Sequence, residues 1–264
     1  MNKQAFVDLD RRFVQLDDRL GGDMDDWIYA GHGIGWEALA KERRAMVLAE
    51  AGAGKTQEIK AAVRKLRDSG KAAFFLRLEE LSDGVTQASF DGADTGSLRE
   101  LDTWLNETDT GWFMLDSVDE ARLGSAKNFE RAIKYLSGKL GDAAQRANII
   151  ITSRASEWRP ESDLRLVNNF LPFPETEETA SHSNADNLER IFDSVTDAVD
   201  GSERRPGARV YSLLPLDEPR IRQLAAHFGV NDTNSFYHAL ERADAVGFAS
   251  RPMRASARRT SRNG

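Results

Sequence analysis

An apolar run, a loop of small residues and a Lys-Thr pair follow one another in Met46-Val47-Leu48-Ala49-Glu50-Ala51-Gly52-Ala53-Gly54-Lys55-Thr56. The apolar run is typical of a buried strand, and the spacing of apolar residues after Thr56 is typical of a helix. A strand, a glycine loop and a helix that opens with Lys-Thr form a phosphate-binding loop, or P-loop. The sequence therefore predicts a strand–loop–helix unit that binds nucleotide phosphates.

Each residue type in this loop has a physical role. Lys55 supplies positive charge to the β- and γ-phosphates, and the Thr56 hydroxyl can ligate Mg²⁺. The helix that begins near Gly54 adds its positive N-terminal dipole. The backbone N–H groups expected to approach the phosphate oxygens are those of the loop itself, from Ala51, Gly52, Ala53 and Gly54.

The loop departs from the usual pattern Gly-x-x-x-x-Gly-Lys-[Ser/Thr] at one position. Ala49 stands where the first glycine is expected. Alanine adds only one methyl group and is excluded only where the backbone needs a positive φ. A strand–turn–helix with accidental glycines is the alternative, but it rarely places Gly-Lys-Thr at a helix start, so nucleotide binding is the preferred interpretation.

The composition is that of an ordinary globular protein. The 264 residues are 40% hydrophobic and 30% charged, with a net charge of -7 and no cysteine. Disulfides and thiolate sites are therefore excluded, and the acidic balance gives no general reason to expect nucleic acid. Without an apolar leader or a long uncharged apolar run, the sequence predicts a soluble cytoplasmic protein with no membrane association.

Five apolar segments alternate with helix-like segments along the chain. This alternation predicts an α/β fold with three layers, α/β/α, around a mainly parallel five-stranded sheet that is followed by the start of a helical lid. Besides the P-loop strand, the strands are expected near residues 72–78, 112–116, 147–154 and 208–216.

The same reading divides the chain into four parts. Residues 1–35 are expected to form an N-terminal helical arm, with a helix from Phe6 to about Leu20, and a loop. Residues 36–216 form the nucleotide-binding core, which includes a helix around 188–199, and residues 217–250 form a partial lid of two helices, 218–228 and 235–245. Residues 251–264 are rich in arginine and are expected to be disordered.

A second motif consists of the third predicted strand and the residues directly after it, in Trp112-Phe113-Met114-Leu115-Asp116-Ser117-Val118-Asp119-Glu120. An apolar strand that ends in aspartate is typical of a Walker B motif, in which the carboxylate of Asp116 holds Mg²⁺. Asp119 and Glu120 add carboxylates near the γ-phosphate, and Glu120 is the candidate for polarising the attacking water. A core strand followed by an acidic turn is the alternative.

The fourth strand ends in polar residues, in Ile149-Ile150-Ile151-Thr152-Ser153-Arg154. In an open parallel sheet the ligand lies beyond the carboxyl ends of the strands, which brings Thr152 and Arg154 near the phosphates. Arg154 is therefore a candidate sensor of the γ-phosphate. A surface arginine, or an ion pair with Asp119 or Glu120, is the alternative.

These motifs together resemble the NACHT branch of the STAND signalling NTPases, whose core is similar to AAA-type ATPases of the ASCE class. The resemblance is carried by residues 48–56, 113–120 and 149–154, and most specifically by the small Ser117 directly after Asp116. Leu214-Pro215-Leu216 with the helix after it, and Pro252, resemble the fifth strand and the lid of that family.

The resemblance implies an ATP- and Mg²⁺-dependent switch that hydrolyses ATP slowly and forms homo-oligomers in signalling or defence. Such proteins also carry an effector and a sensor, for which we find no sequence here. The resemblance therefore implies a truncated chain or an ATPase that depends on an effector or sensor partner.

Two other functions stay open at this point. One is an AAA-like motor ATPase that remodels protein or nucleic acid, and the other is a nucleotide-binding module without significant turnover. GTP is disfavoured because no guanine-recognition motif follows the fourth strand. Contact with nucleic acid is expected only through the arginine-rich tail, residues 251–264.

Overall fold

A computed structural model of the chain describes residues 6–16, 33–118, 121–122, 125, 127–173 and 207–252. Four predicted features lie outside the described residues: Asp119, Glu120, the helix expected around 188–199 and the tail beyond Pro252. In the part of the chain that is described, no helix combines the length and the apolar character that a membrane crossing requires.

The described residues form one six-stranded sheet in the order β1-β6-β2-β5-β4-β3. All neighbouring strands are parallel except β1, which pairs antiparallel with β6 at one edge. The strands are β1 Phe13–Gln15, β2 Arg44–Ala49, β3 Ala72–Arg77, β4 Gly111–Asp116, β5 Ala147–Arg154 and β6 Arg209–Leu213.

Helices connect the parallel strands, as right-handed crossovers between parallel strands require. Those of the core are α1 Trp36–Leu39, α2 Lys55–Asp68, α3 Leu98–Leu105, α4 Asn128–Leu140 and α5 Pro160–Phe170. Three more follow β6: α6 Glu218–His227, α7 Thr233–Arg242 and α8 Val246–Ala249.

Both faces of the sheet are covered, which confirms the predicted three-layer α/β/α architecture. Side chains alternate along each strand, so Met46 packs on one face of β2 while Ala45 and Val47 pack on the other. One face is covered by α3, α4 and α5, and the opposite face by α1 and α2. Strands buried on both sides explain why their sequences read as continuous apolar runs.

The N-terminal segment differs from its prediction. The helix expected from Phe6 to about Leu20 is absent from residues 6–16, and β1 adds a sixth, antiparallel strand to the five predicted. Leu9, Arg11 and Phe13 are buried while the residues between them are exposed, a period of two that fits an extended chain. Phe13 also exchanges two backbone hydrogen bonds with Ile34.

The helices α6, α7 and α8 after β6, which we call the lid, pack around an apolar cluster of their own. The two helices predicted after the last strand are present as α6 and α7, and α8 completes the group. Leu9 from the N-terminal segment is buried among lid side chains, so this segment contacts both the lid and the sheet. The buried members of this lid cluster are Leu9, Leu216, Ile221, Leu224, Tyr237, Leu240, Ala245 and Ala249.

Arg44 begins β2, at the end of the strand that lies away from the P-loop, and links it to neighbouring segments by hydrogen bonds. Its side chain is buried, and burial lowers its pKa to about 9. Within the described part of the chain, the guanidinium donates hydrogen bonds to the backbone carbonyls of Arg43, Ala144, Ala147, Leu171 and Pro172. A planar fork of donors suits such a group of carbonyls, so Arg44 has a structural role far from the candidate site.

Candidate nucleotide-binding site

The loop between β2 and α2 has the backbone geometry of an anion cradle. Gly52 and Gly54 have φ angles of 80° and 88°, which glycine adopts without steric cost. Gly54 is the N-cap of the 14-residue helix α2, and no side chain caps that helix end. The first N–H groups of α2 and its positive dipole therefore suit an anion at this end.

The structure explains why Ala49 can replace the usual first glycine. Ala49 is the last residue of β2 and pairs with Arg154 in the parallel ladder. Its backbone is therefore extended, and among the described residues only Asp10 and Asp244 have a positive φ without being glycine. An extended position accepts a methyl group, so this departure does not disturb the loop.

Three oxygen-bearing side chains form a hydrogen-bonded row beside the loop. The hydroxyl Oγ1 of Thr56 donates to Oδ2 of Asp116 at 2.6 Å, and Oγ1 of Thr152 donates to Oδ1 of the same carboxylate at 2.7 Å. Asp116 and Thr152 are buried, with exposed fractions of 5% and 0%. Lys55 lies over the loop, with Nζ donating to the carbonyl of Ala49 at 3.2 Å.

The strand order produces this row. Strand β5 lies between β2 and β4, so its residues are flanked by the P-loop strand on one side and the Walker B strand on the other. Val47 pairs with Thr152 in one ladder, and Leu115 pairs with Ile151 in the other. The carboxyl ends of all three strands therefore meet at one edge, as the sequence predicted for Asp116 and Thr152.

Arg154 ends β5 at the same edge. It pairs with Ala49 through the backbone and has an exposed side chain. The structure thus places it beside the start of the P-loop, and its role as a γ-phosphate sensor stays a prediction. Asp119 and Glu120, the other two predicted catalytic residues, lie outside the described residues.

The oxygen atoms at this edge suit a magnesium ion that is bound together with phosphates. Mg²⁺ prefers oxygen ligands and is usually held by one or two carboxylates, a hydroxyl and phosphate oxygens. Thr56 and Asp116 would hold the ion, which would neutralise charge on the phosphates when bound. Among the described residues, no three His, Cys, Asp or Glu side chains form a metal-binding group.

Two buried charged residues beneath the loop were not predicted. The guanidinium of Arg11 donates from Nη1 to the carbonyl of Ala53 at 2.9 Å and from Nη2 to the carbonyl of Leu214 at 2.7 Å. Glu58 of α2 accepts a hydrogen bond from Nε1 of Trp36 at 3.2 Å. Residues 9, 11 and 13 are buried at the period of two that is typical of a strand. The sequence does not show this period as an apolar pattern, because the middle residue, Arg11, is charged.

Burial changes the acidity of both groups. It lowers the pKa of Arg11, and the negative charge of Glu58 acts against this change. Burial likewise raises the pKa of Glu58 above its ordinary value, while the charge of Arg11 acts to lower it and that of Asp8 adds slightly to the rise. The two buried charges therefore stabilise each other's ionised forms.

We expect Glu58→Gln to change how stability depends on pH. Because the folded pKa of Glu58 is raised, its contribution to stability is fully present below the unfolded pKa, about 4.5, and is lost as pH rises through the folded pKa. Glutamine does not titrate, so the variant does not lose this contribution. As pH rises from the unfolded pKa of Glu58 through its folded pKa, the free energy of unfolding of the wild type should therefore fall relative to that of the variant.

Urea unfolding of both proteins at a series of pH values measures this difference. Glu107→Gln, which makes the same replacement at an exposed position, is the matched control. A pH-independent difference between the wild type and Glu58→Gln would contradict the raised pKa.

Comparisons with known proteins give distant similarities in structure only. No protein-family model and no curated protein matches the chain. A Walker-type ATPase of Pyrococcus abyssi, PABY2304, matches with a TM-score of 0.41 and 13% identity, over 78% of this chain and 59% of that one. The ORC1 protein of Aeropyrum pernix, solved in complex with DNA, matches with a TM-score of 0.34 and 13% identity, over 81% and 53%.

The chain thus spans between half and three-fifths of the length of these two proteins. Both likenesses are distant, so the site is assigned from the residues of this chain.

Proposed function

We propose that the chain binds Mg-ATP at its P-loop and acts as a nucleotide-dependent switch of the NACHT/STAND type, with slow ATP hydrolysis. The observation that carries the proposal is the 2.6 Å hydrogen bond between Thr56 and Asp116, which are 60 residues apart in sequence. It joins a hydroxyl at the start of the P-loop helix to a carboxylate at the end of a buried strand. Mg-nucleotide binding requires these two ligands side by side.

The remaining residues supply the other functions of such a site. Lys55 and the N–H groups of the loop would bind the phosphates, and Arg154 at the same edge would respond to the γ-phosphate. Glu120, four residues after Asp116, would polarise the attacking water. The lid that follows β6 offers a part whose position can depend on the nucleotide.

The switch is expected to assemble when it binds ATP. Size-exclusion chromatography with light scattering, with and without Mg-ATP, measures the mass, and a phosphate-release assay on the same samples measures turnover. We expect a larger species with Mg-ATP and slow turnover. Glu120→Gln should retain ATP binding, hydrolyse more slowly and accumulate the larger species, whereas Glu107→Gln should behave like the wild type.

The other outcomes discriminate among the functions. Turnover that a protein or nucleic-acid polymer strongly stimulates would indicate a motor instead. ATP binding without turnover, unaffected by Glu120→Gln, would indicate a nucleotide-binding module. A mass that does not change at saturating Mg-ATP would contradict the switch.

A further inference from the structure

Arg11 connects the phosphate loop to the strand end from which the lid begins. Its side chain is 1% exposed, and its two terminal nitrogens donate to the carbonyls of Ala53 and Leu214. These acceptors are distant in sequence, and Leu214 follows directly after β6. One buried guanidinium therefore fixes the distance between the P-loop and the end of the sheet strand next to it.

The contact with Ala53 also determines where the loop directs its donors. The C=O and the N–H of a trans peptide point in opposite directions within one plane. Since Nη1 of Arg11 donates to the carbonyl of Ala53, the N–H of Gly54 in the same peptide points away from that contact. Gly54 is the N-cap of α2, and N–H groups at a helix N-terminus suit an anion, so Arg11 would orient a candidate phosphate-binding donor.

Burial disfavours the charged form of Arg11, and the charge of Glu58 partly offsets this effect. Glu58, itself buried, supports the protonated form of Arg11 and is held in turn by the indole of Trp36. Both Glu58 and the loop acceptor Ala53 lie close to the start of α2, so the two buried charged residues lie near the helix end that would bind phosphate. A hydrogen bond from an ionised donor is stronger than one between neutral groups.

The lid holds the segment that carries Arg11. Arg220 of α6 donates from Nε to the carbonyls of Leu9 and Asp10, at 2.8 Å and 3.0 Å, and Gln223 donates to the carbonyl of Asp8 at 2.9 Å. Leu9 is buried in the lid cluster. The residues before Arg11 are therefore hydrogen-bonded to the lid, while Arg11 itself is hydrogen-bonded to the loop.

The lid also approaches the loop directly. A Cβ atom at Gly54 would lie 3.5 Å from Cγ of Pro252, the last described residue of the chain. The backbone N–H of Leu216 donates to the carbonyl of Ser250, which holds this end of the lid against the chain after β6. The lid is therefore linked to the P-loop in two ways. It binds the segment that carries Arg11, and Pro252 lies next to Gly54.

We propose that Arg11 is a positioning residue for nucleotide binding, which acts through the carbonyl of Ala53 and is held in place by the lid docked on residues 7–10. This inference rests on the proposed function, because it concerns the same phosphate site. Loss of Arg11 frees the peptide between Ala53 and Gly54 to rotate, so ATP binding weakens although no ligand contact is removed.

The test compares two buried arginines of one protein. Arg11→Met and Arg44→Met each remove a buried guanidinium that donates to backbone carbonyls, but Arg44 lies at the opposite end of β2 from the loop. Isothermal titration with Mg-ATP, below both melting temperatures, should show affinity about tenfold weaker for Arg11→Met and unchanged for Arg44→Met. Arg11→Lys, whose single ammonium cannot bridge both carbonyls in this way, should also bind more weakly than the wild type.

Hydrogen exchange without nucleotide supplies a second readout. In Arg11→Met, and to a smaller extent in Arg11→Lys, exchange should increase in residues 50–56 more than in β4, whereas Arg44→Met should not increase it selectively there. Wild-type affinity together with wild-type exchange in the Arg11 variants would overturn the proposal. If the wild type itself does not bind ATP, the proposed function fails, and exchange in residues 50–56 then decides only whether Arg11 orders the loop.

Discussion

Lys55→Ala is expected to weaken ATP binding by roughly 10- to 150-fold, since a hydrogen bond to a charged group contributes about 1.5–3 kcal/mol. Lys55 opens α2, and its Nζ reaches back across the loop to the carbonyl of Ala49. A phosphate bound in the loop would therefore meet this ammonium group. Alanine keeps the helix and removes the cation, so binding should weaken by this factor without loss of the fold.

Isothermal titration with Mg-ATP measures this effect, and circular dichroism checks that the variant is folded. Lys65→Ala is the matched control, because Lys65 is an exposed lysine in the last turn of the same helix. It should bind ATP as tightly as the wild type. Unchanged affinity in Lys55→Ala would remove the P-loop from the nucleotide site.

The sheet, the loop and the position of Asp116 at a strand end could be predicted because their signals are local. Parallel strands covered on both faces give continuous apolar runs, such as the one that ends at Ala49 and the one that ends at Asp116. A glycine directly before Lys-Thr marks the loop without any knowledge of the rest of the chain. In the structure this residue, Gly54, has a positive φ. That Asp116 and Thr152 lie at the same edge of the sheet followed from one general rule about strand ends.

The position of the N-terminal segment could not be predicted in the same way. Leu9, Arg11 and Phe13 form a buried row, but hydropathy assigns an arginine to the surface. Arg11 is buried because backbone carbonyls from two distant parts of the chain, Ala53 and Leu214, accept its hydrogen bonds. Acceptors of this kind have no signature in sequence, since every residue carries a carbonyl.

The order of the strands was another feature that the sequence did not determine. Strand β5 follows β4 in the chain but lies between β4 and β2 in the sheet. Only this placement lets Thr152 donate to Asp116 while Thr56 donates to the other oxygen of the same carboxylate. The site therefore depends on a long-range arrangement, although each of its three residues belongs to a local motif.

Asp116→Asn is expected to abolish the dependence of ATP hydrolysis on Mg²⁺ and to lower the rate by about 100-fold or more, because a bound metal ion contributes several kcal/mol of charge stabilisation. Asparagine has nearly the shape of aspartate and keeps an oxygen that can accept from Thr56 or Thr152. It lacks the negative charge with which a carboxylate ligand attracts Mg²⁺. The two roles of Asp116, structural acceptor and metal ligand, are thereby separated.

Comparison with Asp116→Ala makes this separation measurable. Alanine leaves the buried hydroxyl of Thr152 without its 2.7 Å acceptor, which costs about 1–3 kcal/mol of stability, whereas asparagine should melt close to the wild type. Phosphate release titrated with Mg²⁺ should show no metal dependence in either variant. Asp102→Asn, which changes an exposed aspartate paired with Lys139, should keep the wild-type response. A wild-type Mg²⁺ dependence in Asp116→Asn would exclude the carboxylate from the metal site and leave it a purely structural acceptor.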